Sequence, residues 1–140
     1  MLAGKTVLIA DDDLQLLRAL AIQCQKLGFR VHTVSNGLDV FIEAIAEPPD
    51  LFILDINMPT GDGLRVCQKL VQYPGFRSIP VIFLTGRFDD RALADCAALG
   101  ASHVPKDHRS WETIKGIIAR LFPPETVSPT RADLEAGTAT

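Results

Sequence analysis

The chain has 140 residues, 47% of them hydrophobic and 22% charged, with a formal net charge of −3. That length suits one domain with a real core, and the composition is that of an ordinary globular protein. A slight acidic excess with no Lys/Arg cluster removes nucleic acid and anionic membrane as main partners.

Residues 6–10, "TVLIA", form the first short apolar run and lead into three acids, Asp11, Asp12 and Asp13. The run is too short for a signal peptide and has no small-residue cleavage site after it. No stretch of the chain approaches the roughly 20 apolar residues that span a bilayer, so a cytoplasmic setting is expected. Asp13 is placed to cap a helix over 14–27, in which Leu14, Leu17, Ala21 and Cys24 recur at helical spacing. Gly28 follows as the residue just past that helix.

"RVHTV" (30–34) alternates in polarity, which predicts an edge strand. Asn36-Gly37 opens a second helix over 38–46. "LFILD" (51–55) is a buried strand that ends on Asp55. Beyond it, "INMPTGDG" (56–63) turns into a third helix over 62–72, with Asp62 read as structural and Gly61 and Gly63 easing the turn. Pro74-Gly75 closes that helix.

"IPVIFLT" (79–85) predicts the fourth strand, residues 88–99 a fourth helix ended by Gly100, and "SHVP" (102–105) a short fifth strand running into Lys106. Ser110 is read as the N-cap of a fifth helix over 110–121, carried by Trp111, Ile114, Ile117, Ile118 and Leu121. Pro123-Pro124 stops it. The domain is therefore expected over 1–122, and residues 123–140, rich in Pro, Thr, Ala and acids, as a disordered tail or linker. Cys24, Cys67 and Cys96 show no CxxC or Cys/His spacing, and are read as thiols within helices in a reducing compartment.

Five βα units imply an α/β fold, a five-stranded parallel sheet covered on both faces. Runs one, three and four are continuously apolar and belong inside; runs two and five belong at the edges. Strand order 2-1-3-4-5, the flavodoxin-like (βα)5 three-layer sandwich, satisfies both. In such sheets function gathers beyond the carboxyl ends of the strands. Asp11, Asp12 and Asp13 lie at that rim after strand one, Asp55 ends strand three, Thr85-Gly86 ends strand four, and Lys106 follows strand five. Converging carboxylates repel unless a cation is present, and an all-oxygen set without His or Cys selects a hard ion such as Mg²⁺. A carboxylate nucleophile beside such an ion, a hydroxyl and a lysine suits phosphoryl transfer.

The pieces "VLIADDD" (7–13), "ILDINMPTGDG" (53–63), "VIFLTG" (81–86) and "GASHVPK" (100–106), in this order, resemble the receiver domain of response regulators in two-component signalling, from about Lys5 to Phe122. The resemblance implies that Asp55 accepts the phosphoryl group. It makes Asp11 and Asp12 the acidic pair, with Asp12 the more direct Mg²⁺ ligand, and the Asn57 carbonyl part of the metal shell. Thr85 binds a phosphoryl oxygen and reorients, Lys106 pairs with the phosphate, Gly86 leaves room for the donor, and His103 stands where the family's aromatic switch is found. Its partners are a sensor histidine kinase or histidine phosphotransfer protein and a downstream protein, with no nucleic acid or membrane contact. The resemblance further implies output through the face formed by the fourth helix, fifth strand and fifth helix, where it would also allow a homodimer.

Two positions depart from the family's pattern. Its lysine is usually followed by a cis proline, whereas Asp107 follows Lys106; and the interval from Gly100 to Lys106 is one residue short. The competing reading is a pseudo-receiver that binds partners without phosphorylation. An aspartyl-phosphate phosphatase would need a second acid where Asn57 stands, and a flavin phosphate would be repelled by the acidic rim. The chain reads as a signalling module, with self-catalysed phosphotransfer and dephosphorylation its only chemistry.

Overall fold

The computed structural model describes residues 2–58, 63–86, 94, 98 and 100–124. Strands β1 (Thr6–Ala10), β2 (Arg30–Val34), β3 (Leu51–Asp55), β4 (Val81–Thr85) and β5 (Ser102–Pro105) form one sheet in the order β2-β1-β3-β4-β5, all pairs parallel. Helices α1 (Leu14–Lys26), α2 (Gly37–Ala46) and α3 (Gly63–Leu70) and a C-terminal helix (Ser110–Leu121) complete the described elements. The helix expected over 88–99 lies outside the described residues except for Ala94 and Ala98, which are helical. Cys96, Asp62 and the tail from residue 125 also lie outside them.

Alternation of side chains along the strands divides the core into two layers. Val7, Ile9, Ile53, Ile82, Leu84 and Val104 face α1 and the C-terminal helix, packing on Leu17, Leu20, Cys24, Ile114 and Ile118. Leu8, Ala10, Phe52, Leu54 and Phe83 point the other way, onto Val40 and Ala44 of α2 and Val66, Cys67 and Leu70 of α3. Every residue of β1 and β3 is buried, whereas β2 is partly exposed along its length, as its edge position requires. Each large apolar side chain so buried contributes about 1.5–3 kcal/mol, which anchors the strand ends against the charge they carry.

Local chemistry explains most boundaries. Asp13 caps α1 by accepting hydrogen bonds from the amides of Gln15 (3.1 Å) and Leu16 (3.2 Å), and Asn36 caps α2 by accepting from Asp39 N–H at 2.9 Å. Gly28 and Gly100 adopt φ of 106° and 70°, a region that a side chain would strain. Asp13→Ala is expected to cost about 1 kcal/mol in urea unfolding with an unchanged slope, since it orphans both amides; an unchanged midpoint would reject the cap.

Three expectations are corrected. β4 begins at Val81, two residues later than read: Pro80 has no N–H for the ladder, although its carbonyl accepts from Phe52 N–H at 3.0 Å. Helix α3 spans Gly63–Leu70, shorter than 62–72, and turns follow it. Ser110 is not the N-cap of the C-terminal helix. Arg109 holds that position, without a side-chain bond, and the Ser110 hydroxyl reaches backward to Pro105 and Asp107.

Candidate functional site

Strand register brings the rim together. Ala10 pairs with Leu54, so Asp11 emerges beside Asp55; Asp55 pairs with Leu84, so Thr85 stands one step further along β4. Thr85 pairs with Pro105, and the amide of Lys106 donates to the Thr85 carbonyl at 2.8 Å. The four residues expected at this rim, Asp11, Asp55, Thr85 and Lys106, thus meet at the carboxyl ends of the four neighbouring strands.

Asp11 is fully buried and Asp55 is 2% exposed. Backbone amides aim both carboxylates. Asp11 Oδ1 accepts from Asp13 N–H at 2.8 Å, and Asp55 Oδ1 accepts from Asn57 N–H at 3.1 Å. Their other oxygens converge on one cation: Lys106 Nζ lies 2.9 Å from Asp55 Oδ2 and 2.9 Å from Asp11 Oδ2. Toward Asp55 the ammonium makes a hydrogen bond. Toward Asp11 the contact is one of charge, because Oδ2 has no well-directed donor among the described residues. Asp12 is exposed beside them, and Asp11, Asp12 and Asp55 each offer an oxygen within 4.8 Å of the others.

Burial pushes the Asp55 carboxyl up to about 6; Asp11's charge adds to the rise, while the Lys106 and Asn57 hydrogen bonds oppose it. For Lys106, burial acts to lower the pKa, but the two carboxylates beside it, Asp11 and Asp55, outweigh it and hold the ammonium above its ordinary value. Thr85 is 3% exposed, and its Oγ1 has no hydrogen-bond partner among the described residues. A buried hydroxyl without a partner costs about 1–3 kcal/mol, a cost that an acceptor arriving at the rim would relieve.

The donor set fits a hard divalent cation. Three carboxylates converge with no His or Cys among them, and one buried carboxylate oxygen lacks a directed donor. Lys106 acts as the counter-ion in this arrangement.

The remaining expected residues are placed as follows. Asn57 is exposed, with its amide on Asp55. His103 is exposed on β5, paired with Phe83 and apart from the acidic cluster. A Cβ built on Gly86 meets none of the described residues within 4 Å.

Two residues matter in ways the sequence reading missed. Gly63 does more than ease a turn: a Cβ there would collide with the backbone carbonyl of Asp55, and its amide donates to Ile56 O at 2.9 Å. The start of α3 therefore presses against the peptide that carries Asp55. The signal was present as a glycine opening a helix eight residues after a strand-end aspartate. Ser110 is the second, and its bonds around Lys106 are taken up below.

The family model for the response regulator receiver domain matches residues 7–114. Protein RcaC of Microchaete diplosiphon is 32% identical over 116 residues, which cover 82% of this chain and 18% of that protein. The transcriptional regulatory protein KdpE of Mycobacterium tuberculosis is 37% identical over 95 residues, covering 68% of this chain and 41% of its own. The chain thus spans less than half the length of either relative. Among solved structures, the response regulator TrrA of Thermotoga maritima, in complex with Mg²⁺ and BeF, is 25% identical with a TM-score of 0.74, covering 84% of this chain and 99% of its own. A sheet whose register gathers three carboxylates and a lysine at one rim, within a stretch that the family model spans, makes this chain a member of the response regulator receiver family of two-component signalling.

Proposed function

We propose that the protein is a phospho-acceptor switch in which Asp55 takes a phosphoryl group from the phosphohistidine of a sensor kinase or histidine phosphotransfer protein. The observation that carries this reading is Lys106 Nζ at 2.9 Å from both Asp55 Oδ2 and Asp11 Oδ2, with the buried Thr85 hydroxyl unpartnered among the described residues at the same rim. An Asp55 oxygen attacks phosphorus, the P–N bond of the donor breaks, and its electron pair leaves on the imidazole nitrogen. Asn57 N–H and Lys106 orient the nucleophile. The ammonium and the Thr85 hydroxyl then stand ready for two of the phosphoryl oxygens. Asp11, Asp12, Asp55 and the Asn57 carbonyl would hold Mg²⁺, which supplies positive charge that keeps Asp55 ionised and offsets the charge of the incoming group.

In the same reading, Lys106 and Thr85 move toward the aspartyl phosphate and shift the surface of β5 and the C-terminal helix, with His103 exposed upon it. Of the fourth helix of that output face only Ala94 and Ala98 are among the described residues. A downstream protein, or a second copy, would read that surface. The domain occupies 1–122, and residues 123–140 serve as linker or tail.

The test is intact mass after incubation with Mg²⁺ and acetyl phosphate, and with a phosphorylated histidine kinase. Wild type is expected to gain one phosphoryl group and Asp55→Asn none. No gain from either donor, or stoichiometric labelling of Asp55→Asn, would leave the pseudo-receiver reading in place.

A further inference from the structure

Lys106 sits in a loop whose shape needs an explanation. The peptides before and after it are tied by a single hydroxyl. Ser110 Oγ donates toward Pro105 O at 2.7 Å and Asp107 O at 2.8 Å, its one proton lying between the two carbonyls. The same oxygen accepts from Asp107 N–H at 2.8 Å. Ser110 is 7% exposed, and its own amide donates to Asp107 O at 3.2 Å. Asp107 adds a further bond, its Oδ1 accepting from Arg109 N–H at 2.7 Å.

On the strand side, Lys106 N–H is held by Thr85 O at 2.8 Å. The backbone of Lys106 is therefore fixed on three sides: by β4, by its own strand residue Pro105, and by the first residue of the C-terminal helix. Only the side chain remains to be placed, and it spans from this clamp to Asp11 and Asp55. Lysine has four rotatable bonds, so its reach toward one point depends strongly on where its Cα stands and points.

We infer that Ser110 is a positioning residue for Lys106, clamping residues 105–107 to the C-terminal helix so that the ammonium meets both carboxylates. This rests on the phospho-acceptor reading of the rim, because it gives Ser110 a role through Lys106. The clamp also explains why a serine stands at the first position of the helix without capping it: its hydroxyl is committed to the loop. It further makes the helix start a rigid extension of the lysine loop.

The experiment is a double-mutant cycle read by the initial rate of Asp55 phosphorylation from acetyl phosphate in saturating Mg²⁺. Lys106→Ala is expected to slow labelling about 100-fold, the size seen when one charge-stabilising group is removed. Ser110→Ala is expected to slow it about tenfold, since a small misplacement of a reacting group has effects of that order. Ser110→Thr, which keeps the hydroxyl, should recover most of the rate. In the Lys106→Ala background, Ser110→Ala should have no further effect, a non-additivity that a merely structural residue would not show.

If Ser110→Ala fails to fold, Ser110→Cys, near in shape and weak as a hydrogen bonder, takes its place and should also slow labelling. Wild-type rates in the serine variants, or additive losses with Lys106→Ala, overturn the inference while leaving the phospho-acceptor reading intact. Wild-type labelling of Lys106→Ala would instead remove the role assigned to the lysine, and with it this inference.

Discussion

Asp55→Asn is expected to stabilise the Mg²⁺-free protein at pH 7.5 by about 2 kcal/mol, the order implied by a pKa raised by about two units at a buried site. The carboxyl titrates near 6 in the folded chain and near 3.9 in an unfolded one. Between those values the folded state binds the proton more tightly, so wild-type stability falls as pH rises, by up to about 1.4 kcal/mol per unit, and levels off above. The amide does not titrate, and it keeps the shape of the side chain.

The advantage of the variant should therefore open between about pH 4 and pH 6 and be nearly absent at the acid end. Urea unfolding of both proteins in EDTA at pH 4.5 and 7.5 measures it. Millimolar Mg²⁺ should raise the wild-type midpoint more than that of the variant, because a ligand that needs the ionised site stabilises only the protein that has it. A variant less stable than wild type at pH 7.5, or a difference independent of pH, would mean that the Lys106 contacts outweigh the burial of Asp55.

Gly63→Ala should be the most damaging small substitution in the chain. Its new methyl would overlap the Asp55 carbonyl, which is backbone in a buried central strand and has no rotamer by which to yield. Either α3 shifts outward or the end of β3 is displaced, and both cost about 3 kcal/mol, the upper range for overpacking. The second outcome also misplaces the Asp55 carboxylate, so under the proposed function phosphorylation from acetyl phosphate should slow by about tenfold or more in the fraction that stays folded. Chemical denaturation and the labelling rate together report it. A variant with both properties unchanged would show that α3 does not bear on the Asp55 peptide. Gly75→Ala, in the exposed turns after α3, is the control, because a Cβ there meets none of the described residues within 4 Å.

Much of the fold and of the rim could be read from the residues alone. "TVLIA", "LFILD" and "VIFLT" are apolar without alternation, which only strands covered on both faces tolerate, and those strands do occupy the interior of the sheet. Once their order followed, the polar residues at their carboxyl ends had to share one rim, so Asp11, Asp55, Thr85 and Lys106 came together from a pattern of period and position. The Asp13 cap was equally legible, as was the opening of α2 at Asn36, since each side chain bonds amides two or three residues away and needs nothing from the rest of the fold.

Ser110 and Gly63 were misread for the opposite reason. A serine before an amphipathic run resembles an N-cap, but its hydroxyl has one proton and a free choice of partners. The end of β5 and the turn at Asp107 place two carbonyls behind it, so it bonds backward. Gly63 resembled a turn glycine because its real constraint is a collision with a peptide eight residues earlier, visible only when α3 is packed against β3. The pattern of apolar and acidic residues dictated which strands meet and which charges they carry, because periodicity and strand-end position are properties of the chain itself. How the Asp55 carboxylate is held and how the lysine is aimed depend on distances of a few tenths of an ångström between segments, and only packing sets those.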